Sequence, residues 1–222
     1  MPIPSAVQSF RASHRAQTIS PRYSGWLHLA FTSLGALTAI GACVAWVRAP
    51  TLSELAIIPI TFLFANAVEY FAHRGPMHHP ARGLRLLHQR HTRQHHRFYT
   101  RDAMTCESAR DFQMILFPPV MLLFFLGAIA APIGLFLSWL GSANLGLLFA
   151  ATALGYFLSY EWLHLCYHLD PKSWVGRLPG MAHLRRHHST HHDPILMQRW
   201  NFNITFPIFD AVMGTSHSRH SR

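Results

Sequence analysis

Apolar positions along this chain gather into four long, near-continuous runs separated by polar stretches. They cover residues 29–47 (LAFTSLGALTAIGACVAWV), 55–71 (LAIIPITFLFANAVEYF), about 112–131, and 143–160 (ANLGLLFAATALGYFLSY). Each approaches the roughly 20 residues that a helix needs to cross a bilayer's hydrocarbon core. Charge is nearly absent inside them, with Glu69 in the last turn of the second. Four such runs in one short chain argue against buried helices of a water-soluble core. The pattern predicts an all-α integral membrane protein with about four transmembrane helices. Pro118–Pro119, inside the third run, should kink or offset that helix.

The polar stretches orient the runs. Residues 48–54 hold one Arg and one Glu, and residues 132–142 hold no charge. Residues 72–111, in contrast, carry eight Arg against three acids, the tail after Tyr160 carries seven Lys or Arg, and the N-terminal stretch adds Arg11, Arg15 and Arg22. The positive-inside rule then places the N-terminal segment 1–28, the middle loop and the tail in the cytoplasm. That means a bacterial inner membrane or an endoplasmic reticulum.

Composition narrows the function classes. A formal charge of +10 fits nucleic acid or an anionic membrane face, and the apolar runs favour the membrane, so no nucleic-acid partner is expected. Cys43, Cys106 and Cys166 stand far apart with no CxxC, which argues against a disulfide framework or an iron–sulfur cluster. The first 28 residues have no compact apolar core of a signal peptide. Pro2 and the closing HSRHSR match no lipidation motif.

Of eighteen histidines, sixteen follow residue 70 and none lies within an apolar run. They form four boxes in the two basic regions. In EYFAHRGPMHHP, His73 extends the second run, Gly75–Pro76 should end the helix, and His78 turns back toward His73. In LLHQRHTRQHHRFY, a helix would put His88, His91 and His95 on one face, with His96 at its edge. In YEWLHLCYHLD, His164 and His168 at i, i+4 share a face suited to one ion. In MAHLRRHHSTHHDP, His188, His191 and His192 repeat the spaced-and-paired form, while His183 and His187 read as helix surface or supporting groups. His14, His28, His217 and His220 read as polar surface.

Paired imidazoles where two runs end point to metal. Imidazole suits Zn, Cu, Fe and Ni, and ten ligands exceed what one ion takes, so two ions are expected. Glu69 and Glu161, near His73 and His164, are candidates to orient the rings. A histidine-rich metal-binding or metal-transporting membrane protein stays open on these residues, as does zinc-dependent lipid hydrolysis.

HRGPMH, HTRQHH, HLCYH and HSTHH, with the closing NFNITFPIFDAVMGT and its Asp210, Gly214 and Thr215, resemble the fatty acid hydroxylase / sterol desaturase superfamily over about residues 60–215. The resemblance implies one membrane domain over 29–222, two Fe ions (Zn being possible after purification) and O2 as co-substrate. It implies hydroxylation or desaturation of a C–H bond on a fatty acyl chain or sterol-like lipid. The ligands would be His73, His78, His91, His95, His96, His164, His168, His188, His191 and His192. The family's second box commonly has two residues before the paired histidines and here there are three, so His88 competes with His91. No electron-carrier module is fused, so a separate cytochrome b5-like or ferredoxin/reductase donor is implied. Arg82, Arg85, Arg90, Arg93 and Arg97 could steer an acidic donor or meet lipid headgroups. Phe71, Trp162, Trp200, Phe202 and Phe206 could wall a lipid channel or anchor at the interface.

Overall fold

The computed structural model describes residues 3–217, which leaves Pro2 and His220 outside. Helix accounts for 69% of the chain, and the described residues form no strand. In chain order the helices are α1 (Ser5–Thr18), α2 (Gly25–Trp46), α3 (Leu52–Met77), α4 (residues 85–98), α5 (Val120–Leu140), α6 (Ala143–His168), α7 (Met181–His191) and α8 (Ile208–Val212). Of these, α2, α3, α5 and α6 are each long and apolar enough to cross a membrane. The chain is an all-α, multi-pass membrane protein.

The third span differs most from expectation. It runs Val120–Leu140 rather than 112–131. Residues Ala109–Met114 form a separate 3-10 turn, and α5 starts only after the two prolines, with Pro119 as its N-cap. A proline lacks the N–H that would continue a helix from before it, so the pair starts the span rather than kinking it. Pro132, expected in the connecting loop, lies inside α5. A wider π turn at Phe125–Ala130 precedes it, so Pro132 falls in the first turn of the regular helix that follows, where a proline is tolerated.

The fold divides into two compact units. The apolar one comprises residues 26–65 and 117–161. Its core is Ala36, Leu122, Ala130, Leu154, Phe157 and Leu158. Here α5 and α6 approach closely at small residues: a Cβ on Gly146 would sit 2.1 Å from the Gly134 carbonyl oxygen. Such contacts suit helices in lipid, where packing replaces the hydrophobic effect. Large apolar side chains such as Leu34, Phe64, Leu123 and Leu135 stay exposed, as lipid-facing residues do. Thr51 and Glu54 form a capping box at the start of α3, and Glu54 also receives the Ser142 hydroxyl and the Asn144 amide. His28 is not surface filler. It is buried, with Nε2 2.9 Å from the Phe117 carbonyl oxygen.

The second unit comprises residues 1–25, 66–116 and 162–222, and it holds every histidine of the four boxes. Asn66 is buried here. It donates to the Phe206 carbonyl at 2.9 Å and accepts from the Phe209 amide at 3.2 Å, so it ties down the loop before α8.

Candidate metal centre

Box one forms where α3 leaves helical geometry. Gly75 takes φ −90°, ψ −105°, neither helical nor extended, which a residue without a Cβ tolerates best, and the chain folds back to bring His78 beside His73. Box two lies on α4, which is not regular. Residues Gln89–His95 make a π turn, in which the His96 amide donates to the His91 carbonyl five residues earlier. In an α-helix, five residues would put two side chains about 140° apart. The wider turn brings them together, and the His91 and His96 Nε2 atoms are 2.9 Å apart. Box three is the end of α6. Box four is α7, opened by Gly180 in the left-handed region at φ +81°, which glycine adopts without a Cβ penalty.

The ten expected histidines converge into two groups of five: His73, His78, His91, His96 and His191 in one, and His95, His164, His168, His188 and His192 in the other. Within each group the candidate ligand atoms all lie within 4.8 Å of one another. Five imidazoles around one ion need that scale, since metal–nitrogen bonds of about 2.0–2.1 Å put opposite ligands about 4.2 Å apart. The expected face of His88, His91 and His95 does not form. The π turn sends His91 and His95 to different groups, and His88 stays half-buried outside both. His79 and His183 are exposed.

Hydrogen bonds fix the ring tautomers. The Nδ1 of His73 meets the Phe202 carbonyl, that of His191 the Trp200 carbonyl at 3.0 Å, that of His95 the Met114 carbonyl at 2.7 Å, that of His168 the Met104 carbonyl at 2.7 Å, and that of His192 the Tyr99 carbonyl at 2.7 Å. A carbonyl oxygen only accepts, so each of these Nδ1 atoms carries the proton and each Nε2 of the neutral ring presents a lone pair. Those lone pairs face one another: the Nε2 atoms of His95 and His192 are 3.2 Å apart, and both rings have spent their proton on the other side. Nothing in the protein sits between them to share. A cation accepting these lone pairs satisfies the arrangement, so the residues fit a metal.

No ring of the ten is more than 6% exposed, which keeps water from the lone pairs. Burial, followed by the nearness of other imidazoles, holds His91, His96, His188 and His192 well below the ordinary imidazole range. His95 and His191 fall to about 4, because burial outweighs their hydrogen bonds to the Met114 and Trp200 carbonyls. The sign follows for the metal-free protein. Unfolded imidazoles titrate near ~6.5, so below that the unfolded chain binds more protons than the folded one. Stability should be fully present above about pH 6.5 and decline as pH falls toward 4. Thermal unfolding of metal-free protein in detergent across this range should show a falling midpoint; a flat or rising one would contradict the assignment.

Glu69 accepts from the Ile204 and Thr205 amides and from the Thr205 hydroxyl at 2.6 Å. Glu161 accepts from the Phe117 amide at 3.1 Å. Five of the ten rings are held at Nδ1 by backbone carbonyls, which have no signature in a sequence. Asp210, noted only within the closing motif, is the carboxylate beneath the first group. It accepts from the Phe202 amide at 2.9 Å, the Asn203 amide at 2.8 Å and the Thr215 hydroxyl at 2.7 Å, and it pairs with His187 Nε2 at 3.1 Å. His187 is therefore a buried supporting group. Asn201, between the two carbonyls that hold His191 and His73, takes φ +59°, which Asn tolerates better than most residues. Its side-chain amide donates to the His187 carbonyl at 2.9 Å. Of the five aromatic residues singled out, Phe202 is fully buried, with its ring 6.2 Å from that of His73, while Phe71 and Trp162 are exposed.

No curated protein and no solved structure matches the chain. The fatty acid hydroxylase family model matches residues 58–215, a stretch that takes in all ten histidines together with Asp210 and Thr215. By that match, in a sequence with two buried imidazole groups and four apolar helices, the chain belongs to the fatty acid hydroxylase family.

Proposed function

We propose that this protein is a membrane-bound, O2-dependent di-iron oxidoreductase that hydroxylates or desaturates a C–H bond of a membrane lipid. The substrate would be a fatty acyl chain or a sterol-like lipid. The observation that carries the reading is the pair of buried five-imidazole groups whose lone pairs converge. Family membership supplies the reaction class.

His73, His78, His91, His96 and His191 would hold one ion, and His95, His164, His168, His188 and His192 the other. When bound, the iron pair supplies the activation of O2 and the two-electron oxidation of an unactivated C–H bond. The chain's own part is binding and exclusion. Carbonyls at 99, 104, 114, 200 and 202 keep five Nδ1 atoms protonated, so the Nε2 atoms are free to ligate without a proton leaving first. Burial of every ring keeps bulk water out. The balance for hydroxylation is one C–H bond, one O2, two electrons and two protons giving an alcohol and one water. Desaturation uses the same inputs, removes two hydrogens from adjacent carbons and releases two waters. The electrons come from a separate donor protein. The Arg-rich stretches of residues 72–111 and the tail support a cytoplasmic metal side under the positive-inside rule, and Arg82, Arg85, Arg93 and Arg97 are exposed to meet such a donor.

The test is lipid profiling by mass spectrometry of iron-reconstituted protein with reductant, in air and without oxygen. A gain of one oxygen, or a loss of two hydrogens, only in air is the expected result. No oxidised lipid from a broad panel would sink the proposal. Lipid cleavage without O2 would point to hydrolysis, and metal uptake into proteoliposomes to transport.

A further inference from the structure

We propose that the N-terminal helix α1 is a positioning element for the second imidazole group alone, and that it acts through Arg11. The inference rests on the reading that this group holds an ion.

Arg11 is fully buried, which is rare for a charged side chain unless it is well partnered. Its guanidinium spends its donors on one short stretch. Nε donates to the Phe98 carbonyl at 2.8 Å, Nη2 to the Ala103 carbonyl at 2.5 Å, and Nη1 to the Thr105 carbonyl at 3.2 Å and to Glu107 at 2.8 Å. Between these carbonyls lie the ones that orient the second group. Phe98 goes to Arg11, and the next carbonyl, Tyr99, goes to His192. Ala103 and Thr105 go to Arg11, and the carbonyl between them, Met104, goes to His168. A rigid planar fork that fixes the flanking peptides fixes the direction of the carbonyls in between.

A second arginine repeats the pattern one helical turn on. Arg15 grips buried Asp111 through two hydrogen bonds of 2.8 Å. Asp111 forms the capping box of the turn Ala109–Met114, whose last carbonyl holds His95. Three rings of the second group, His95, His168 and His192, thus hang from a stretch that α1 clasps. The two carbonyls that hold rings of the first group come from Trp200 and Phe202, outside the clasped stretch. Arg11 hydrogen-bonds to none of the ten imidazoles. Helix α1 also lies outside the residues that match the family.

The experiment titrates metal-free full-length protein in detergent with Co2+ and reads binding and the ligand-field absorption. Two backgrounds separate the groups: His78→Ala/His191→Ala disables the first, and His164→Ala/His168→Ala disables the second. Arg11→Ala should weaken Co2+ binding about 10- to 100-fold in the first background, the size usual when a partner that orients a ligand is removed. In the second background it should leave binding and spectrum unchanged. Arg11→Lys keeps the charge but not the fork, and should show the same selectivity with a smaller loss; it carries the test if Arg11→Ala does not fold. Equal weakening in both backgrounds would make Arg11 a general stability residue and overturn the proposal, as would no weakening in either. Should the wild type take up no Co2+ at all, it is the metal reading that fails, and the uptake of the parent protein shows which has happened.

Discussion

Replacing His191 and His192 together with Ala should empty both metal groups at once. The two residues are neighbours in the chain but serve different groups, His191 the first and His192 the second. Each is buried, with Nε2 among the converging lone pairs and Nδ1 on a carbonyl. Loss of one of five ligands opens a group and leaves the remaining four lone pairs facing a void. Iron content of the purified double variant should fall from about two ions per chain to well below one, with lipid oxidation at background. Each single variant should keep about one ion. The exposed His183→Ala, four residues before His187, should keep both. Elemental analysis beside the lipid assay decides it, and a double variant that retains two ions would refute the assignment of both groups.

The second large effect belongs to a residue that touches no expected ligand. Asp210→Ala should destabilise the protein by about 3–5 kcal/mol and lower metal occupancy of the first group. The fully buried carboxylate takes two amides, a hydroxyl and an imidazole. Removing it strands four donors without water. One of those donors is the amide of Phe202, whose own carbonyl orients His73. The neighbouring Trp200 carbonyl, across left-handed Asn201, orients His191. Asp210→Asn keeps the size and two acceptor sites on its remaining oxygen, so it should cost less. Thermal melts with elemental analysis, compared among the wild type and both variants, test this. A melting midpoint unchanged in Asp210→Ala would show that the network is dispensable.

Much of this was readable in the sequence, for identifiable reasons. Long apolar runs report themselves, because lipid demands about twenty uncharged residues whatever surrounds them. Histidines at i, i+4 on a helix end report themselves as well, and His164 with His168 needed only regular geometry to be paired. What stayed hidden depends on departures from regularity. The span start at Val120 was set by two prolines that a hydropathy pattern passes over. The sorting of His91 from His95 was set by a π turn, and no helical wheel contains one. His28 reads as surface, and His187 as surface or supporting group, because their partners, the Phe117 carbonyl and Asp210, are far away in the chain. Arg11 was visible only as one positive charge in a basic segment, and its partners come about ninety residues later.

The use of main-chain carbonyls to aim the rings has an evolutionary consequence. Tyr99, Met104, Met114, Trp200 and Phe202 contribute an oxygen that every amino acid possesses. The acceptor does not depend on the side chain, so the polar duty at these positions is mutationally silent. Packing alone limits the side chains, most tightly at fully buried Tyr99 and Phe202, and apolar replacements of similar volume keep the tautomers provided that the path of the backbone is inherited. What selection must guard is the shape of two short loops, through the few residues that clamp them.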